Sequence, residues 1–196
     1  RLTYRVRTAG RMDVLTWKKA MRHAGLYING GGSLIQDVTS RRSLWFYLHN
    51  IQAAHKAGCK VQMYGCGIGP VLREQHRKLA ASVLNASVDV ITLREPDSLK
   101  ELQSMGVTKP EILLTADPAL TLPAASEDEI DSVLLRAGIP THGKYLCFAL
   151  RNWKGFEDKA PLFAQAAKYA YETYGLTPVF AAVEKHLDPV AGRLAA

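Results

Sequence analysis

Cysteine is scarce: Cys59, Cys66 and Cys147 are the only three in 196 residues, and no two stand in CxxC spacing. An odd, unpatterned set of thiols argues against a disulfide framework or a zinc site and for a reducing, cytosolic compartment. Long apolar runs are missing too, so nothing reaches the roughly 20 residues of a membrane-spanning helix. No signal-peptide pattern stands at the start. Aromatic residues make up 8% of the chain and do not interleave with basic ones. With no groove-reading motif either, nucleic acid is set aside as a partner. Low-complexity segments and short repeats are absent. Acids are outnumbered, 18 Asp and Glu against 25 Lys and Arg, for a net charge of +7. That excess suits small anionic substrates or an anionic membrane surface. Arg1, Arg5, Arg7 and Arg11 crowd the start, and Lys18, Lys19 and Arg22 follow on a helix. Most single lysines read as a solvated face.

Glycine, by contrast, is placed with a pattern. Leu26-Tyr27-Ile28 reads as a buried strand, Asn29-Gly30-Gly31-Gly32-Ser33 as a loop, and about Ser40 to Ala57 as a helix. Strand, glycine run, then helix is how an α/β sheet offers backbone N–H groups to an anion. The bland alternative is a tight turn. If the run lines a site, a methyl group added at Gly31 harms binding more than folding. Lys60 to Tyr64 then reads as a strand, Gly65-Cys66-Gly67-Ile68-Gly69 as its loop, and Pro70 as the first residue of the next helix. A third strand, Val88 to Leu93, ends in Arg94-Glu95-Pro96-Asp97-Ser98; a fourth, Ile112 to Leu114, ends in Thr115-Ala116-Asp117-Pro118. Four such loops converge on the carboxyl edge of a parallel sheet, where open α/β sheets bind ligands.

The remaining periodicity fits the same plan. Helices are expected over Met12 to His23 with Asp13 near its start, over Val71 to Leu84, and over Pro96 to Met105 with Gly106 as the stop. Leu2-Thr3-Tyr4 reads as the end of a strand. Strand–helix alternation implies an α/β fold with a doubly wound, Rossmann-like parallel sheet over residues 1–124. Residues 125–140 form a linker with one helix, opened by the capping sequence Ser126 to Glu129 and closed at Gly138. Residues 141–196 begin a second Rossmann-like domain: strand Tyr145 to Leu150, helix Phe156 to Tyr174, strand Pro178 to Ala181. The chain starts at Arg1 without Met and reads as a piece of a longer protein, the second domain truncated.

Arg151 closes the first strand of that second domain, where a guanidinium can hold a carboxylate or phosphate in bidentate fashion; the alternative is a surface arginine. Arg94 either contacts a ligand or pairs with Glu95, Asp97 or Asp117. Asp37 caps the helix after Thr39-Ser40 or orients a hydroxyl, and Asp117 reads as a turn-former. His49, His55 and His76 fall on polar helix faces, and Tyr64 is expected to pack.

The motifs GGGSLIQD, YGCGIGP, ITLREPDS, TADPAL and CFALRNW, in this order from about Ala24 to Trp153, resemble the polysaccharide pyruvyl transferase family. The chain departs from the family pattern at Gly65 and Cys66, where a small residue and a glutamine are usual, and at Glu95, where aspartate is common. The resemblance implies a two-domain GT-B-like architecture and transfer of the pyruvyl group of phosphoenolpyruvate onto a bacterial cell-wall or exopolysaccharide sugar as a ketal. It implies a lipid-linked acceptor at the inner face of the membrane and no cofactor or metal. Gly30, Gly31, Gly32, Ser33, Gly67, Gly69, Arg94 and Arg151 are the expected substrate-binding residues. The catalytic histidine is expected beyond residue 196, so His186 is not assigned that role. This fragment alone would lack activity. A GT-B nucleotide-sugar glycosyltransferase and a non-catalytic sugar- or anion-binding module are the competing readings.

Overall fold

The computed structural model describes residues 6, 8–10, 13–152, 154–182 and 188–195. The expected strand end at Leu2-Thr3-Tyr4, the cluster of Arg1, Arg5, Arg7 and Arg11, the helix start at Met12, Trp153 and His186 lie outside the described residues. Two units follow one another along the chain, Arg1–Pro123 and Ala124–Ala196.

In the first unit, helix α1 (Val14–Met21) is capped by Asp13, whose carboxylate accepts from the Thr16 N–H at 3.1 Å. Strands β1 (Leu26–Asn29) and β2 (Gly32–Ile35) lead to helix α2 (Arg41–Lys56) and strand β3 (Lys60–Ile68). Helix α3 (Glu74–Ser87), strand β4 (Val90–Leu93), helix α4 (Pro96–Met105) and strand β5 (Glu111–Leu114) complete the unit's sheet and helices. Helix α4 opens at Pro96 and stops on Gly106 at φ 79°, the left-handed conformation that glycine adopts most easily.

All pairings are parallel, in the order β1-β3-β4-β5, with β2 also on β3. Each crossover therefore moves the same way across the sheet. Right-handed crossovers of that kind leave their helices on one face. Burial agrees: Val61, Met63 and Ile91 share a face through their register and are 0% exposed. They belong to one core with Leu44, Leu48 and Ile51 of α2, Leu84 of α3 and Leu102 of α4. The opposite face carries Leu26, Ile28, Tyr64 and Leu113 at 49, 53, 46 and 43% exposure. The sheet is thus Rossmann-like but wound in one direction among the described residues, not to both sides as expected. Tyr64 does not pack, because it lies on the face that no described helix covers.

The second unit opens with helix α5 (Glu127–Arg136), where Ser126 and Glu129 form the expected reciprocal capping box. Strand β6 (Tyr145–Phe148), helix α6 (Ala160–Tyr174), strand β7 (Thr177–Phe180) and helix α7 (Asp188–Ala195) follow. The two strands pair in parallel, and Phe148 stacks on Phe180 at 5.1 Å. No described helix is long and apolar enough to cross a membrane.

Candidate functional site at the carboxyl edge

Two glycine segments shape this edge, though not as loops. Leu26–Asn29 lies beside Lys60–Met63, and Gly32–Ile35 beside Cys66–Ile68, so β1 and β2 share the neighbour β3. They are two halves of one strand creased at Gly30 and Gly31. The strand resumes at Gly32, with φ 101°, and α2 begins only after Ser40, whose hydroxyl accepts from the Ser43 N–H at 3.2 Å. Likewise β3 continues through Ile68 with an irregularity at Gly65, φ 58°, where its register with β4 shifts. A glycine run read locally looks like a turn, but here each strand keeps a pairing partner beyond its glycines, and the run becomes a bulge.

Two glycine amides of this edge are committed inside the unit. The Gly65 N–H donates to Thr92 Oγ1 at 2.8 Å and the Gly69 N–H to the Ile35 carbonyl at 2.7 Å. The Cys66 thiol donates to the carbonyls of Asn29 and Gly30 at 3.6 and 3.5 Å, tying β3 to the crease. Burial pushes that thiol up to about 11, against an opposing pull from Arg94, so it stays protonated and is no nucleophile. Gly31 tolerates a side chain: an added Cβ would meet the Gly65 and Tyr64 carbonyls at 3.5 and 3.9 Å, ordinary contact distances, and its φ is not positive. Gly31→Ala is therefore expected to shift stability by less than about 1 kcal/mol in a thermal melt, and turnover is expected to stay near wild type.

Gly67 is different. A Cβ there would stand 2.5 Å from Ser33 Oγ, 2.8 Å from Glu95 Oε1 and 3.3 Å from the Arg94 guanidinium. Its bare backbone is what lets these three side chains meet. Arg94 donates to Glu95 Oε2 and Asp117 Oδ2, both at 3.1 Å, and to Ser33 Oγ at 3.4 Å. The Ser98 hydroxyl donates to Glu95 Oε1 at 2.5 Å. The cluster is half open to solvent, with Arg94, Glu95 and Asp117 side chains 29, 40 and 43% exposed. One guanidinium between two carboxylates leaves a net negative charge. Such a site accepts hydrogen bonds from hydroxyls and does not favour an anion.

Of the residues expected at the site, Ser33, Gly67 and Arg94 come together here. Gly30 and Gly31 stay at the crease, beside the paired Gly32. Gly69, at φ 81°, abuts Glu101 instead, 2.8 Å from an added Cβ to its Cγ. Arg151 belongs to the second unit, exposed and past the end of β6 at Phe148. Asp97 pairs with Lys100 at 2.8 Å, away from Arg94. Asp117 both forms its turn, accepting from the Ala119 N–H at 2.9 Å, and holds Arg94. Arg94 thus pairs with Glu95 and Asp117, two of its three expected partners; the sequence did not point to Ser98, for which a serine three residues after Glu95 was the available signal.

Asp37 also differs from expectation. It does not cap α2, which Ser40 does, but reaches the chain before α3. Its carboxylate accepts from the Leu72 and Arg73 N–H groups at 2.8 and 3.2 Å and pairs with His76 Nδ1 at 2.7 Å. With the Val71 N–H donating to Glu101 Oε1 at 3.0 Å, these amides are held by tertiary partners, so α3 starts at Glu74 and not at Pro70. His76, expected on a polar face, is buried against Asp37. His49 and His55 are exposed as expected.

A parallel α/β sheet with creased strands and a serine–arginine–carboxylate cluster at its carboxyl edge places the first unit in the Rossmann-like class. The family model for polysaccharide pyruvyl transferases matches residues 3–194, and the chain belongs to that family. No curated protein and no solved structure matches the chain. Membership supports pyruvyl transfer to a saccharide acceptor as its general role.

Proposed function

We propose that the protein transfers the pyruvyl group of phosphoenolpyruvate onto two hydroxyls of a lipid-linked cell-wall or exopolysaccharide sugar, forming a ketal. The family match over residues 3–194 carries this reading. The net negative Ser33–Arg94–Glu95–Asp117 cluster supports an acceptor role for the first unit. Phosphoenolpyruvate bears a carboxylate and a phosphate, so such a cluster would repel it, while sugar hydroxyls can donate to Glu95 and Asp117. Arg94 then acts as a substrate-binding residue by fixing both carboxylates, with Ser33 beside it. Glu95 is the group we assign to draw a proton from the attacking hydroxyl. The methylene carbon of the donor gains a proton, an oxocarbenium-like centre forms, phosphate departs, and the second hydroxyl closes the ring. The proton donor to the methylene remains assigned to a histidine beyond residue 196. The scheme needs no redox cofactor and no metal. A GT-B-like plan suits a chain whose two units each carry a parallel sheet, and Arg151 is the donor-binding residue proposed on the second.

Incubating the full-length protein with phosphoenolpyruvate and a ManNAc-containing acceptor tests the reading. Phosphate release with a pyruvyl mass added to the acceptor is expected; turnover only with a nucleotide sugar overturns it in favour of a glycosyltransferase. For the donor, Arg151→Ala is expected to weaken phosphoenolpyruvate binding by about 2–4 kcal/mol in calorimetry. An unchanged affinity removes Arg151 from the donor site.

A further inference from the structure

Charge is unevenly placed along the chain. Residues 14–73 hold eight Lys and Arg and a single acid, Asp37, an excess equal to the +7 of the whole chain. Asp37 is spent inside the fold, its side chain 1% exposed against His76. The cations are left to the surface, and a set of them converges on a groove between α1 and α2.

That groove encloses about 510 Å³ and is lined by Lys18, Arg22, His49, Gln52 and Lys56 over a floor of Met21, Ala53 and Ala57. None of its lining residues is an acid. Lys18 and Arg22 stand one turn apart on α1, and His49, Gln52 and Lys56 recur at helical spacing on α2, so each helix presents one stripe to the groove. The groove is not part of the carboxyl-edge site. Lys18 to Arg22 precede β1 and Gln52 to Ala57 precede β3, which places them toward the amino ends of the strands. Leu15, 82% exposed, stands one turn before Lys18 and Lys19 on α1, beside the groove. An apolar residue beside two cations, next to a cationic hollow, matches a lipid surface better than a soluble polyanion, which has no use for Leu15.

We infer that the α1–α2 groove is a docking site for an anionic bilayer, seating a lipid phosphate between Lys18, Arg22 and Lys56 while Leu15 enters the headgroup boundary. This deepens the reading that the acceptor is lipid-linked, but it rests on the groove and not on transfer. Flotation of the full-length protein with vesicles of phosphatidylcholine, alone or mixed with phosphatidylglycerol, tests it. Binding is expected only to the mixed vesicles and is expected to weaken with salt. The double variant Lys18→Glu/Arg22→Glu is expected to lose on the order of tenfold in binding or more, and Leu15→Ser is expected to weaken vesicle binding while leaving inorganic phosphate binding unchanged. These positions are exposed, so a thermal melt is expected to show each variant folded. Phosphate release with a water-soluble acceptor is expected to stay at the wild-type rate, separating this proposal from pyruvyl transfer. Failure of the wild type to float with the mixed vesicles overturns the inference, as does equal flotation of the double variant. Unchanged vesicle binding by Leu15→Ser, with inorganic phosphate competing fully, makes the groove a soluble-anion site and overturns it too.

Discussion

Gly67→Ala is expected to lower turnover by on the order of 10²-fold, the usual effect of misplacing reacting groups by about an ångström. The added methyl group would stand 2.5 Å from Ser33 Oγ and 2.8 Å from Glu95 Oε1, so the serine and the carboxylate must part. The Arg94 network that holds them loosens with them. Overpacking of this kind costs about 1–3 kcal/mol of stability, too little to explain the expected loss through unfolding. Phosphate release per folded molecule, set beside a thermal melt of the same variant, separates the two effects. Turnover that falls only as far as the folded fraction would remove the cluster from the reaction. Gly31→Ala, where the methyl group has room, serves as the control.

Asp37→Ala is expected to be the most destabilising change, by about 2–4 kcal/mol, because it strips a cap from two backbone N–H groups and leaves His76 buried without its partner. The same residue predicts a pH dependence. Burial by itself would raise the Asp37 pKa, but hydrogen bonds from the Leu72 N–H, His76 and the Arg73 N–H, with the charge of His76, outweigh it and hold the carboxyl below its ordinary value of 3.8. A depressed carboxyl binds fewer protons folded than unfolded, so stability rises with pH across that interval. The contribution is complete above about pH 4 and is lost as pH falls through the folded value. Denaturant unfolding of wild type and Asp37→Ala between neutral pH and pH 3 checks the sign. The gap between the two is expected to narrow on acidification; a constant gap would sink the assignment.

Local chemistry made much of the architecture legible. Ser126 and Glu129 announce a helix start because the serine hydroxyl and the acid three residues on can reach each other's backbone N–H groups within one turn. Pro96 and Gly106 bracket α4 for equally local reasons, a preset φ at the start and a left-handed one at the stop. Ser33, Gly67 and Arg94 were singled out from their places near strand ends, and they do meet. What failed were judgements that need to know a partner distant in sequence. Gly30 to Gly32 and Gly65 to Gly69 looked like turns because nothing local reveals that a neighbouring strand runs past them. Asp37 was read with the nearby Ser40, yet its partners lie at Leu72, Arg73 and His76.

The sequence by itself determined the alternation of strands and helices, the family motifs, the basic balance and most helix ends, since all depend on interactions within a few residues. Only the tertiary structure decided that the glycines crease strands, that Arg94 is held between Glu95 and Asp117, and that, among the described residues of the first unit, the crossovers turn the same way and leave one sheet face without a helix. It also decided that Lys18, Arg22 and Lys56 line one groove between α1 and α2. Each of these depends on which side chains the sheet register and the helix packing bring together across 20 to 60 residues of chain, and no pattern within a single helix or strand carries that information.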